Sequence, residues 1–392
     1  SITEENRMEL FRRRAARLQK GELCAVDSIS RSAYGNTLTD VKWGKNKDKL
    51  PLEQTMETVV YTLDSHMPVY YRAFPGNIPD SRSVETILTD IRHAGFPHVI
   101  LITDRGYESL QNLERYILAG QAMIMCVKVR QKMVLEKIRE FGDFGGRPPV
   151  MEIDPKSKLY HKQYDLEYPV TGKGGSTTQS DRLRLNLYFD AIRRGTELTA
   201  LDVNIAMQRA ALQEIKEMGA SLDDDVTIKR NYNYFDIDYN ESDRTIRSFT
   251  LNEEKVAAAR RTSGFFAIMT HKLDMDPITA LDNYGLRDEQ EKYFQQMKSQ
   301  MNINRQRTWS EEGKSGRHFI TFIALIISSY LRNIWKTTPL KDRFTSSLEV
   351  LDEMRSIRCI EHRGKAKFIT PFIGGQIDIC NAFGFKIPEG CE

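Results

Sequence analysis

The chain has 392 residues, with 57 Lys and Arg against 54 Asp and Glu, for a formal net charge of +3. Hydrophobic residues make up 40% and charged residues 28%, which excludes a disordered chain and, at this length, predicts two or three domains with sizeable cores. The near-neutral balance excludes a histone-like polycation but leaves room for a local basic face.

Residues 3–20 (TEENRMELFRRRAARLQK) read as a charged helix whose second half is basic through Arg12, Arg13, Arg14, Arg17 and Lys20. Two readings stand for it: a solvated face suited to a helix C-terminus, or a DNA-contacting linker to a domain further N-terminal. The chain begins at Ser1 rather than Met, and a fragment is expected.

Three runs rich in β-branched residues follow, Leu23 to Ile29, Thr55 to Leu63 and Met67 to Ala73. Ser65-His66 and Met67-Pro68 predict a hairpin turn between the last two. Helical spacing appears over Ser83 to Ala94, then a strand over His98 to Thr103, a helix over Glu108 to Ala119 and a strand over Ala122 to Val129. Three antiparallel strands followed by alternating helix and strand predict a mixed α/β sheet.

The texture changes near residue 142, where Gly142, Gly145, Gly146, Pro148 and Pro149 punctuate the chain. Strand-like stretches (Leu183 to Phe189, Tyr232 to Tyr239), a helix around Val203 to Met218 and a Gly/Ser/Thr-rich loop at 171–180 then suggest an inserted domain. From Asp276 to about Arg358 the pattern is helical. The most apolar run, Phe319 to Leu331, has 13 residues, short of the roughly 20 that span a bilayer, and reads as a buried helix. Five cysteines without Cys-x2-Cys spacing predict neither a disulfide framework nor a zinc ribbon. No signal-peptide-like run opens the chain.

Two apolar runs end in an acid, LCAVD at Asp27 and VILITD at Asp104. In mixed sheets ligands collect beyond the carboxyl ends of strands, and neighbouring strands about 4.8 Å apart let two such acids share a cation. VVYTLD ends the same way at Asp64, and an Asp closing a strand is by itself most often a turn former. A stronger pattern follows Asp276-Pro277, an N-cap with a first-turn proline. Tyr284, Arg287, Glu291 and Lys298 fall within a sector of about 60° on one helix, along a stripe of about 21 Å. Leu286, Tyr293, Met297 and Met301 flank it as a core-facing side. Glu291 can reach a metal, while Arg287 and Lys298 suit an extended anionic chain. A solvated helix with an Arg287–Glu291 pair is the plainer reading.

These residues resemble the DDE transposases of bacterial insertion sequences, in the group marked by Tyr-x2-Arg-x3-Glu-x6-Lys to which the transposon five transposase belongs. The signature stands complete at Tyr284, Arg287, Glu291 and Lys298. AVDSIS (Asp27) and TDRGYESLQN (Asp104) match the two Asp motifs, with acids 77 and 187 residues apart. The resemblance covers roughly residues 20–360 and implies an α/β, ribonuclease-H-like mixed sheet with flanking helices, interrupted by a mainly β insertion domain and ending in helices. Its expected parts are a basic helical linker (1–20), a first core part (21–141), the insertion (142–270), a second core part with the Glu helix (271–335) and a helical C-terminal region (336–392). It implies Asp27, Asp104 and Glu291 as catalytic ligands of two Mg²⁺ ions, with Mn²⁺ able to substitute, for two-metal phosphoryl transfer. Tyr284, Arg287 and Lys298 would hold DNA phosphates, and Lys128 and Arg130 sit where relatives carry basic DNA contacts. The implied partners are double-stranded DNA, as transposon ends and target, and a second copy in a synaptic homodimer, with no membrane and a cytoplasmic, nucleoid-associated location. Phe265 and Phe266 are candidates for stacking on a displaced base, with core packing the commoner fate of such residues. The alternatives are a non-catalytic DNA-binding regulator and a ribonuclease-H-like nuclease. Trp309, Arg305 and Arg307 follow the signature helix as further candidate DNA contacts.

Overall fold

A computed structural model describes residues 2–34, 37–47, 49–142, 148, 150–171, 177–300, 305–361 and 368–388, with side chains left out at 171, 177–179 and 289–300. The chain divides into two compact units, residues 1–122 with 283–392, and residues 123–282.

The first unit opens with α1 (Glu4–Ala15), whose N-terminus carries a capping box between Thr3 and Asn6. It is docked rather than solvated. Phe11 and Ala15 are buried, and Phe11 meets Tyr71 and Phe322 edge-on. Arg14 is buried as well, donating to the Pro68 carbonyl at 3.1 Å. Burying a phenylalanine contributes about 1.5–3 kcal/mol, so this helix is held by its apolar face while Arg12 and Arg13 stay outside.

Four strands form the sheet of this unit: β1 (Leu23–Ser32), β2 (Gln54–Thr62), β3 (Pro68–Pro75) and β4 (Ile100–Thr103), in the order β3-β2-β1-β4. β2 runs antiparallel to both β1 and β3, whereas β4 is parallel to β1. The sheet is therefore mixed, as the sequence pattern predicts. α2 (Asp80–His93) links β3 to β4 and is tied to β3 by the Tyr70 hydroxyl on Asp90 at 2.7 Å. α3 (Leu110–Leu118) follows β4, capped by Ser109.

The second unit contains β5 (Ala122–Val127) from its second residue on, α4 (Lys132–Arg139), β6 (Glu152–Ile153), β7 (Tyr160–Thr171) and β8 (Thr177–Phe189). α5 (Ala191–Glu217) is 27 residues long and starts well before the helical stretch legible at 203–218. α6 (Asp225–Asn231), β9 (Phe235–Tyr239), β10 (Ile246–Leu251), α7 (Glu253–Thr262) and β11 (Phe265–His271) complete it. β11 lies between β5 and β8, antiparallel to both. A small second core gathers Leu201, Ile205 and Leu212 of α5 with Phe235, Ile246 and Val256. Asp224, in the run Asp223-Asp224-Asp225, caps α6.

α8 (Pro277–Gln300), α9 (Glu311–Thr337), α10 (Leu340–Arg343), α11 (Ser347–Met354) and α12 (Gly374–Phe383) make the helical C-terminal part. α9 is longer than the 13-residue run suggested, and by length and composition it could cross a membrane. Its surroundings are those of a core helix on one side only. Phe322 and Leu325 are buried and Phe322 packs on Tyr71, while Ile320, Ile327 and Tyr330 are exposed. Beneath it lies a buried ionic cluster. Arg31 of β1 clasps Glu57 of β2 through two nitrogens, and His318 Nδ1 of α9 stands 3.0 Å from the same carboxylate. All three are about 1% exposed or less.

Candidate functional site

The parallel register of β1 and β4 decides where the two leading acids stand. Val26 pairs with Thr103, so Asp27 and Asp104, each one residue further on, are neighbours at the carboxyl end of β4. β1 itself continues for five residues past Asp27, to Ser32, where the sequence pattern suggested that it ended. Asp64 is placed differently. Because β2 is antiparallel, Thr62 pairs with Cys24, and the exposed Asp64 lies beyond the opposite end of β1, where that strand begins.

Each acid is fixed by one oxygen. Asp27 Oδ1 accepts from the Ser28 N–H at 2.7 Å, and Asp104 Oδ1 from the Gly106 N–H at 2.7 Å. A third carboxylate that the sequence reading passed over joins them. Asp80, the first residue of α2, accepts from the Ser28 hydroxyl at 2.5 Å. A Cβ built on Gly106 would stand 3.0 Å from Asp104 Oδ1 and 3.1 Å from Asp80 Oδ2, so both acids crowd the same glycine. The N-terminal position of Asp80 also sets its charge against the positive end of the helix.

A cation of the chain's own lies among these acids. Lys47 Nζ donates to the Ser28 carbonyl at 2.8 Å and stands 3.4 Å from Asp27 Oδ1 and 3.6 Å from Asp80 Oδ2. Burial alone would push the ammonium's pKa down, but Asp27, Asp80 and Asp104 outweigh it and hold the pKa above the usual lysine value. The loop carrying Lys47 is anchored closely. Lys47 N–H donates to the Ser30 hydroxyl at 2.8 Å, Asn46 to the Ser32 hydroxyl at 2.9 Å, and Lys42 exchanges backbone hydrogen bonds with Gln54. A Cβ on Gly44 would run into the Gly76 carbonyl and one on Gly76 into the Gln54 carbonyl, so neither position has room for a side chain.

Asn112 of α3 holds the other side. Its amide, wholly buried, donates to the carbonyls of Ser81 at 2.7 Å and Tyr107 at 2.6 Å. It thereby ties the first turn of α2 to the loop after β4, and so Asp80 to Asp104. Asn112→Ala leaves both carbonyls without these donors, and a loss of about 1–3 kcal/mol of stability is expected, read by urea denaturation. A change within 0.5 kcal/mol would refute the pinning role.

The donor set here is carboxylate oxygen, which suits hard divalent cations such as Mg²⁺, and the Lys47 ammonium already lies beside those oxygens. These residues therefore fit a divalent cation. Among the described residues no three His, Cys, Asp or Glu side chains already stand in metal-holding geometry; the acids are arranged around an ammonium instead. Glu291 falls on α8, and its side chain lies outside the described residues, as does that of Lys298.

The transposase DDE domain model matches residues 18–327. The chain belongs to that family. No curated protein matches it. Among solved structures it is similar to a cryo-EM structure of a piggyBac transposase synaptic complex with hairpin DNA. The identity is 7% and the TM-score 0.42, with 79% of this chain covered and 47% of that one. The chain thus spans about half the length of that transposase.

The remaining residues of this DDE-family chain are placed as follows. Tyr284 is half-buried and Arg287 is buried, its guanidinium 5.1 Å from the Tyr284 ring centroid and 3.6 Å from Asp288. Leu286, expected on the core side, is 42% exposed. At this end of α8 the buried face is therefore turned from the expected flank towards Arg287. Tyr293, Met297 and Met301 lie outside the described residues or side chains. Lys128 and Arg130 are exposed just beyond β5, and Arg130 lines a cavity of about 940 Å³ within the second unit, with Lys229, Lys255 and Tyr232. Phe265 is a core residue, and Phe266 stacks on Tyr188 at 4.8 Å with Arg193 over its ring. Trp309 is 75% exposed, so core packing is not its role, and Arg305 lies over the Tyr34 ring at 5.6 Å. The loop residues 172–176 lie outside the described residues.

Proposed function

We propose that this chain is the catalytic part of a DDE transposase of the bacterial insertion-sequence type, which nicks double-stranded DNA at transposon ends and joins the freed ends to target DNA. The observation that carries this reading is the side-by-side placement of Asp27 and Asp104 by the β1–β4 register, in a chain of the DDE family. In this reading Asp27, Asp104 and Glu291 hold two Mg²⁺ ions, replaceable by Mn²⁺. Divalent ions, when bound, supply the Lewis acidity for phosphoryl transfer.

The chain's own residues orient the reaction. The Ser28 and Gly106 N–H groups each hold one carboxylate oxygen, so these carboxylates would receive a cation with little loss of side-chain freedom. Tyr284, Arg287 and Lys298 are assigned to DNA phosphates, and Lys128 and Arg130 to a looser basic contact. Two copies in a synaptic homodimer would each bring one transposon end. A cytoplasmic, nucleoid-associated location belongs to the same reading.

The deciding experiment uses DNA spanning both ends of the chain's own element, with Mg²⁺. Nicking at the ends is expected from the wild type and not from Glu291→Ala, while end binding in a mobility-shift assay persists in both. Mg²⁺-dependent nicking retained by Glu291→Ala would overturn the assignment. Cleavage without end preference would favour a nuclease, and binding without cleavage a regulator.

A further inference from the structure

The acid site holds a carboxylate besides Asp27 and Asp104. Asp80 is shared between the Ser28 hydroxyl and the Lys47 ammonium, and Lys47 also reaches Asp27. A methyl group on Gly106 would crowd both Asp80 and Asp104. Facing the same acids is the Tyr107 hydroxyl. It is wholly buried, has no hydrogen bond of normal geometry, and sits beside Ser28. Burial, then Asp80, Asp27 and Asp104, push its pKa well up, so it stays a neutral phenol turned to a strongly negative pocket.

Three carboxylates around one ammonium are a charge arrangement with an alternative occupant. A divalent ion brings twice the charge in a smaller radius and accepts several oxygens at once, whereas Lys47 contributes one charge on a flexible stem of four carbons that can swing away. The ammonium and a divalent ion between Asp27 and Asp80 would repel one another strongly at such range. They cannot share the position.

We propose that Asp80 is a further carboxylate of the divalent-cation site and that the Lys47 side chain holds the site's place in the metal-free protein, leaving it when the cation binds. This rests on the reading of Asp27 and Asp104 as metal-holding acids. It adds to that reading a fourth acid, from the start of α2, and a built-in competitor from the loop between β1 and β2.

The test is Mn²⁺ binding to the full chain without DNA, followed by electron paramagnetic resonance, alongside amine-reactive acetylation of Lys47 read by peptide mass spectrometry. Asp80→Asn is expected to weaken Mn²⁺ binding about tenfold or more, and Lys47→Met to tighten it about tenfold. In the wild type, saturating Mg²⁺ is expected to raise Lys47 acetylation several-fold, a readout that needs no substitution. Asp27→Asn, the control for the underlying reading, abolishes binding. If Asp27→Asn abolishes binding while Asp80→Asn and Lys47→Met match the wild type and acetylation is flat, the inference fails and the acid site stands. If the wild type binds no Mn²⁺, both fall together.

Discussion

Asp104→Asn is expected to lower metal-dependent nicking by at least about 10³-fold while leaving the fold intact. The substitution is chosen because it separates chemistry from structure. The amide oxygen of asparagine can still accept from the Gly106 N–H, the bond that sets this side chain's direction. What disappears is the negative charge that would balance a divalent ion. A 10³-fold loss corresponds to about 4 kcal/mol of transition-state stabilisation. The thermal midpoint should stay within a few degrees of the wild type, because Asp104 forms none of the ion pairs seen in this site. A variant that nicks within tenfold of the wild type would remove Asp104 from the catalytic set.

The second large effect concerns stability. Glu57→Ala is expected to cost about 3–5 kcal/mol, because it strands the Arg31 guanidinium in the core without its counter-charge. Chemical denaturation measures this directly, and a loss under 1 kcal/mol would contradict it. Glu57 also sets a pH window. Burial pushes its pKa up, but Arg31 and then His318 outweigh burial and bring it from 4.5 down to about 2. Since the folded value lies below the unfolded one, the stabilisation is fully present above about pH 4.5 and is lost as pH falls towards 2. The wild-type melting temperature should drop across that interval, and the drop should be shallower in Glu57→Gln.

How far the sequence reaches is visible in the acids themselves. Asp27, Asp64 and Asp104 share one local pattern, an apolar run closed by an aspartate. Local pattern carries no strand direction. Only the parallel pairing of β4 and the antiparallel pairing of β2 with β1 separate the two neighbours from the third. Asp80 was hidden for a related reason. After Pro79 an aspartate reads as a helix opener, and its second role depends on Asn112, which draws that turn beside Asp104 across more than thirty residues. Lys47 sits in a polar loop with no periodicity at all. The helices were easier to find than to orient. α8 was located by its Asp276-Pro277 start, but its buried face near Arg287 was not, since an apolar pattern does not register a cation that is buried against a tyrosine ring. α9 shows the same limit. Its apolar run marked a helix, yet one side remains open at Ile320, Ile327 and Tyr330.

The β1–β4 register has a consequence for how the protein is made. The pair Asp27 and Asp104 does not exist in any local segment of the chain; it forms only when a long crossover connection closes, a slow, non-local event. Under the proposed assignment the third acid leaves the ribosome 187 residues later, roughly 10–40 s at ordinary synthesis rates. Under that assignment a product terminated before Glu291 lacks the third acid, and strand cleavage would be confined to molecules synthesised past that residue.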